Sequence, residues 1–213
     1  MPDTGLPAMI DDPVRCGWAS GGDALYARYH DEEWGVPQPD SRALFEKLVL
    51  EGFQSGLSWI TILRKRENFR SAFHGFAPDR IARYGAKDIA RLMDDAGIVR
   101  NRLKIEATID NAKAYLKLSE KQPLADFLWA FFPDGPVINH LKAGEPPQAS
   151  TELSKTVSKA LKKEGFRFVG PTTVYAFMQS VGMVNDHVLT CHRHAACTKL
   201  QRAFKRPGSR SSS

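Results

Sequence analysis

Between two polar ends, the apolar residues of this chain recur every three or four positions and nowhere convincingly every second one. That rhythm excludes sheets as the main element, because a half-buried strand alternates and a helix does not. Leu44, Phe45, Leu48 and Val49 follow it behind Ser41, which can cap the helix, and Gly52 and Gly56 weaken its end. Ser58 is placed to cap a second helix carrying Trp59, Ile60, Leu63 and Phe73. A third runs from about Lys87 to Asp95 and stops near Gly97. A long helix has Ile105, Ile109, Ala112 and Leu116 on one face, and another covers Leu124 to Phe131. Residues 132–150 are rich in proline and glycine and read as a loop. Two more helices cover Ser154 to Lys163 and Pro171 to Val181. The expected fold class is all-α, one domain over residues 14–204. Residues 1–13 read as a disordered tail, and 205–213, KRPGSRSSS, as a disordered basic one.

The chain has 213 residues and a formal net charge of +6, which suits a polyanionic partner but does not require one. No apolar run reaches the roughly 20 residues a membrane helix needs, and the start has no secretory signature. Three cysteines are an odd count for a disulfide framework. A reduced cytoplasmic setting with a metal site is the better expectation.

The segment from Leu153 to Gly182 reads as helix, short turn, helix. Gly165 ends the first helix, Gly170 precedes the second, and Pro171 opens it where its missing N–H is harmless. Free N–H groups at that helix start favour an anion, and Lys159, Lys162, Lys163 and Arg167 surround the turn. A DNA phosphate read without regard to sequence suits the turn; so does an ordinary hairpin with a solvated basic face.

His187 and Cys191 are four apart, which on a helical turn would face them the same way, and Cys16 and His30 lie near the other end. Two imidazoles and two thiolates make a closed tetrahedral zinc site with no place for water, hence one structural zinc. It would tie the chain's start to its end. The spacing matches no finger pattern, His192, His194 and Cys197 compete for the fourth place, and the four residues could equally do unrelated jobs.

Glu51 falls at the edge of the apolar face of its helix, where a carboxylate must be paired or used. Trp59 follows it after a run of small residues, and Trp18, Tyr26, Tyr29 and Trp34 lie upstream. A carboxylate among aromatics can hold a flat cationic base. The same rings could instead fill the core, with Glu51 bound to a nearby Lys or Arg.

The turn FRFVGPTT resembles the second half of the helix-hairpin-helix motif of the DNA glycosylase superfamily, with Val169, Gly170 and Thr173 in place and Phe168 where the motif has its first glycine. More broadly, the chain resembles the 3-methyladenine DNA glycosylase I family. The carriers are RCGW at 15–18, YHDEEWGVP at 29–37, LFEKLVLEGFQSGLSWITILRKRENFR at 44–70, DAGIVRNRLKIEATIDNAKAY at 95–115 and KALKKEGFRFVGPTTVYAFMQSVGMVNDHVLTC at 159–191. Two departures are a spacer of five residues between Trp18 and Ala24, longer by one than the family pattern, and HRHAAC after Cys191 instead of a cysteine-rich end.

The resemblance implies zinc on Cys16, His30, His187 and Cys191. It implies a pocket in which Glu51 hydrogen-bonds a flipped 3-methyladenine, Tyr29 and Trp59 stack on it, and Trp18, Tyr26 and Trp34 form further walls. Double-stranded alkylated DNA is the implied partner, met by Lys162, Lys163, Arg167, Gly170 and Thr172, with Gly56 and Leu57 as candidates to fill the gap the base leaves. Strand-cleaving relatives carry a lysine two residues after the hairpin's last glycine; Thr172 stands there, so the expected enzyme only hydrolyses the N-glycosidic bond. Asp186 is expected to orient the neighbouring metal ligand rather than to act on the sugar. A zinc-stabilised DNA-binding module would not need Glu51 in an aromatic pocket, and a zinc hydrolase would need an open coordination position.

Overall fold

The computed structural model describes residues 13–146 and 148–208; of the expected tails at 1–13 and 205–213, residues 1–12 and 209–213 lie outside the described residues. Within them run α1 (Ala24–Glu32), α2 (Ser41–Gln54), α3 (Trp59–Ala72), α4 (Pro78–Ile81) and α5 (Ala86–Asp94). They continue with α6 (Arg102–Ser119), α7 (Leu124–Trp129), α8 (Glu152–Lys163), α9 (Pro171–Ser180) and α10 (His192–Ala203). The fold is mostly helical, as the apolar rhythm requires. One sheet pairing adds to it: β1 (Val137–Ile138) lies parallel to β2 (Val184–Asn185), inside what reads as loop. Past α10 the chain remains against the domain, with Arg206 donating to the Trp129 carbonyl.

Helix α2 is the centre. Leu44, Phe45, Leu48, Val49, Leu50 and Phe53 are buried around it, and α3, α6, α7 and α9 pack on its sides. The cap is Asp40, whose carboxylate accepts from the Ala43 N–H at 2.8 Å. Ser41 instead accepts from the Ala125 N–H at 3.0 Å and joins α2 to α7. Ser58 does precede α3, but its side chain makes no cap bond and pairs with the Thr61 hydroxyl. Leu116 is exposed where spacing predicts burial. Helix α6 runs through the middle of the domain, so Ala107, Asn111, Ala114 and Leu118 are buried as well and no single stripe describes it. Helices α8 and α9 form the expected hairpin and pack on each other.

Candidate functional site

Five elements meet at a cavity of about 220 Å³ lined by Trp18, Tyr26, Tyr29, Trp34, Glu51, Gln54, Trp59, Ala176, Gln179 and Ser180. All six residues expected to touch a base are here. Trp18 lies 4.8 Å from Tyr26 and 5.1 Å from Trp34 between ring centroids, and Tyr29 lies 5.4 Å from Trp59. Asp23 caps α1 by accepting from the Tyr26 N–H, which fixes Tyr26 and Tyr29 on one helix. The Trp34 wall is seated by main chain: the Gly35 N–H donates to the Gln179 carbonyl and the Gln38 N–H to that of Val181. Gly182 is required there, since a Cβ would come within 2.3 Å of the Val36 and Pro37 backbone.

Glu51 is 4% exposed, yet no cationic nitrogen among the described residues lies within 4.0 Å of its carboxylate. Glu51 makes no direct ion pair within that distance, although the Lys47 charge still acts on it. Burial pushes the Glu51 carboxyl up to about 7, against the pull of the Lys47 ammonium and the Ser180 hydroxyl. Lys47 lies one helical turn before Glu51. Its ammonium sits 4.7 Å from the Tyr29 ring centre and 5.0 Å from that of Trp59, and burial draws its pKa down to about 8. Burial, then the Glu51 charge, holds the Tyr29 phenol well above its usual range, so it stays protonated and able to donate. The Trp59 indole N–H is buried without a partner. Lys47 was legible from its spacing to Glu51. Gln179 and Ser180 were not, because α9 comes far later in the chain and nothing local marks its inward side.

The pocket's rim is the exposed turn from Ser55 to Ser58. Gly56 takes a φ of +85°, and Leu57 projects apolar surface into solvent. Buried Lys104 holds the turn by donating to the Phe53 and Ser55 carbonyls at 2.8 and 2.6 Å.

Cys16, His30, His187 and Cys191 also converge, all buried, with their ligand atoms within 4.8 Å of one another. Cys191 Sγ lies 3.4 Å from His30 Nε2 and 3.5 Å from His187 Nδ1, and Cys16 Sγ lies 3.6 Å from His187 Nδ1. His187 and Cys191 do not share a helical turn: a bend closed by the Cys191 N–H on the Val188 carbonyl brings them together, and Cys191 then caps α10. Hydrogen bonds from Cys16, His187 and His30 drive the Cys191 thiol far below its usual range. The imidazoles are aimed: His30 Nδ1 meets Asp31 at 2.7 Å and His187 Nε2 meets the Trp34 carbonyl at 3.1 Å, leaving the other nitrogens to face the cluster. Arg15 holds Asp31 in turn. This set could hold a tetrahedral metal. His192, His194 and Cys197 are engaged elsewhere, with Val14, Asn139 and Trp34 carbonyls respectively. Asp186 does not orient His187; it accepts from Asn139, Tyr175 and Gln179.

At the hairpin, Phe168, which stands where the motif has its first glycine, takes a left-handed φ of 55°, a region that favours glycine. Gly52 makes room for it, since a Cβ there would stand 3.3 Å from that of Phe168. Asn111 grips the Arg167 N–H and C=O, and Ser158 donates to the Val169 carbonyl. No side chain caps α9, and a Cβ at Gly170 would meet nothing within 4 Å, so the helix start is open. Lys162, Lys163 and Thr172 are exposed. Arg167 is paired with Asp110 at 2.6 Å, which neutralises one of the expected cations.

The site is thus a helical scaffold with an aromatic slot, a buried carboxylate in its lining and an uncapped basic hairpin. A model of the methyladenine glycosylase family matches residues 18–194. The chain is 52% identical over 178 residues to DNA-3-methyladenine glycosylase 1 of Escherichia coli, covering 83% of this chain and 95% of that protein. A crystal structure of 3-methyladenine DNA glycosylase I aligns with a TM-score of 0.81 at 50% identity, covering 84% of this chain and 98% of that one. The Staphylococcus aureus enzyme, solved for the basis of its 3-methyladenine recognition, aligns with a TM-score of 0.80 at 37% identity, covering 84% and 95%. The chain belongs to the methyladenine glycosylase family, whose members are enzymes acting on N-glycosyl bonds.

Proposed function

We propose that this chain excises 3-methyladenine from alkylated double-stranded DNA by hydrolysing its N-glycosidic bond, without cleaving the strand. The observation that carries the reading is Glu51: a carboxylate 4% exposed, lining an aromatic slot, with no cationic nitrogen among the described residues within 4.0 Å and the Lys47 charge acting on it from farther off. A buried carboxylate held without a direct ion pair keeps acceptor capacity for a partner that arrives from outside. A base methylated on a ring nitrogen brings both positive charge and an amino group for it to accept from. Tyr29 and Trp59 stack on the base, Trp18, Tyr26 and Trp34 close the slot, and Leu57 on the Gly56 turn fills the gap in the duplex. When the glycosidic bond breaks, its electron pair moves onto the base and neutralises it. Water adds to the sugar carbon and releases a proton, leaving an abasic site and free 3-methyladenine.

The α8–α9 turn acts as a helix-hairpin-helix seat for a phosphate, served by the open N–H groups beyond Gly170 and by Lys162 and Lys163. Arg167 contributes less because Asp110 holds it. One structural zinc sits on Cys16, His30, His187 and Cys191. Sulfur–nitrogen separations of 3.4 to 3.6 Å suit the tetrahedron edge of about 3.5 Å that ordinary zinc–thiolate and zinc–imidazole bonds give. Bound there, the metal supplies a rigid tie between the chain's two ends and no chemistry at the base.

The test is to incubate the protein with methylated duplex DNA and identify the bases released. Free 3-methyladenine with intact strands is expected. Release of none, by folded protein, overturns the reading.

A further inference from the structure

One group in the slot is polarised by the fold and spent on nothing. Gln179 lines the cavity beside Glu51 from the end of α9. Its Nε2 donates to Asp186 Oδ2 at 2.6 Å. The same carboxylate accepts from the Tyr175 hydroxyl at 2.8 Å and from Asn139 Nδ2 at 2.6 Å. An ionised carboxylate has lone pairs and no hydrogens, so the face an amide turns to it must be its NH₂. Asp186, itself buried, therefore fixes which way round the Gln179 amide lies.

The consequence falls on the other end of the amide. Gln179 Oε1 accepts no hydrogen bond from the described residues, and it is not among the sealed, partnerless polar atoms. It is thus an acceptor in accessible space, on a residue that lines the slot. Glu51 is also an acceptor. Two acceptors fixed in one slot suit a group with two hydrogens to give, such as an exocyclic amino group. They oppose a carbonyl at the same place, whose lone pairs would face theirs.

We propose that Gln179, held by Asp186, is a second acceptor for the amino group of the flipped base and selects 6-amino purines over 6-oxo purines. The proposal rests on the base-pocket reading above. Gln179 is the contacting residue and Asp186 a positioning residue that acts through it. A site built to accept from an amino group rejects the analogue that cannot donate, because the site's polar atoms are then left facing lone pairs.

The test titrates the protein as purified with free 3-methyladenine and with 3-methylhypoxanthine, which carries a carbonyl in place of the amino group and one added ring N–H, and follows tryptophan fluorescence. The parent is expected to prefer 3-methyladenine. Gln179→Ala should reduce that preference about tenfold, the scale of one lost polar contact of about 1.4 kcal/mol, and should also lower the melting temperature because buried Asp186 loses a donor. Asp186→Asn should reduce it in the same direction, because the Gln179 amide is then free to turn. Combining the two should reduce it no further than Gln179→Ala alone, a non-additivity that a merely structural Asp186 would not produce. If Gln179→Ala does not fold, Gln179→Asn withdraws the acceptor by one methylene and should show the same loss. A folded Gln179 variant that keeps the parental preference overturns the proposal. A parent that binds neither base defeats the underlying pocket reading instead, so the two failures are distinct.

Discussion

Replacing Glu51 by Gln keeps the shape of the side chain and removes its charge, and the structure gives opposite expectations for stability and for activity. In the folded chain the carboxyl titrates at about 7, against 4.5 for an unperturbed one. Between those values the folded protein holds a proton that the unfolded chain has released. The stability attached to that proton is full below the lower value and is lost as pH rises through the upper one. A gap of about 2.5 pH units corresponds to about 3 kcal/mol by pH 8. The neutral amide of Glu51→Gln escapes that loss. It also withdraws the charge that helps keep Lys47 protonated, so the net gain is about 2 kcal/mol at pH 8, or roughly 4–8 °C for a chain of this size. At pH 5 the two proteins should melt alike. Single-turnover excision of 3-methyladenine should fall roughly tenfold to a thousandfold, the scale of removing one or two charged interactions from the transition state. Calorimetry at pH 5 and pH 8, beside single-turnover release, separates the two effects. A variant that melts earlier at pH 8 and excises at the parental rate refutes the reasoning, and the pocket assignment fails with it.

Protein purified without added metal should carry one zinc per chain by elemental analysis. Cys16→Ser should lower the melting temperature more than it lowers excision per folded molecule, since none of the four cluster residues lines the cavity. Lys162→Ala with Lys163→Ala should weaken binding to all duplex sequences alike and flatten its salt dependence, by titration at several salt concentrations. Borohydride treatment with DNA containing an abasic site should trap no covalent adduct, because Thr172 offers no amine.

What was legible in the sequence and what was not divides along physical lines. Helices with an apolar face and a plain end signal, such as α2, α5, α8 and α9, are readable because burial on one side leaves a periodic record. Helices α1 and α10 leave none: their stretches, ALYARYHDE and HRHAACTKLQRA, are polar, and they stand because Asp23 and Cys191 cap them and because their partners sit elsewhere in the chain. The candidate site divides in the same way. Glu51 stands out because a carboxylate at the edge of an apolar face needs a reason. Gln179 does not, since glutamine at a helix end is ordinary until Asp186 is seen to turn it. The convergence of Cys16, His30, His187 and Cys191 follows from the path of the chain, which no spacing encodes.

That convergence has a bearing on the pocket. Tyr29 and His30 are consecutive on α1, and successive helical residues point about 100° apart, so one ring enters the base slot and the next enters the metal cluster. Trp34 serves both as well, with its ring in the slot and its carbonyl on His187. The stretch that supplies these residues is poorly provided with core: Trp18 is on the surface, Tyr26 is half-buried, and α1 buries only Tyr29 and His30. Hydrophobic burial alone is a weak fastening for half of a recognition pocket whose rings must keep their spacing. The proposed zinc, held by two residues of this stretch and two from beyond α9, would fasten it to the segment that follows the helix carrying Gln179 and Ser180. On that proposal the cluster's place beside the slot needs no part in breaking the glycosidic bond: it would hold one wall of the pocket against the other.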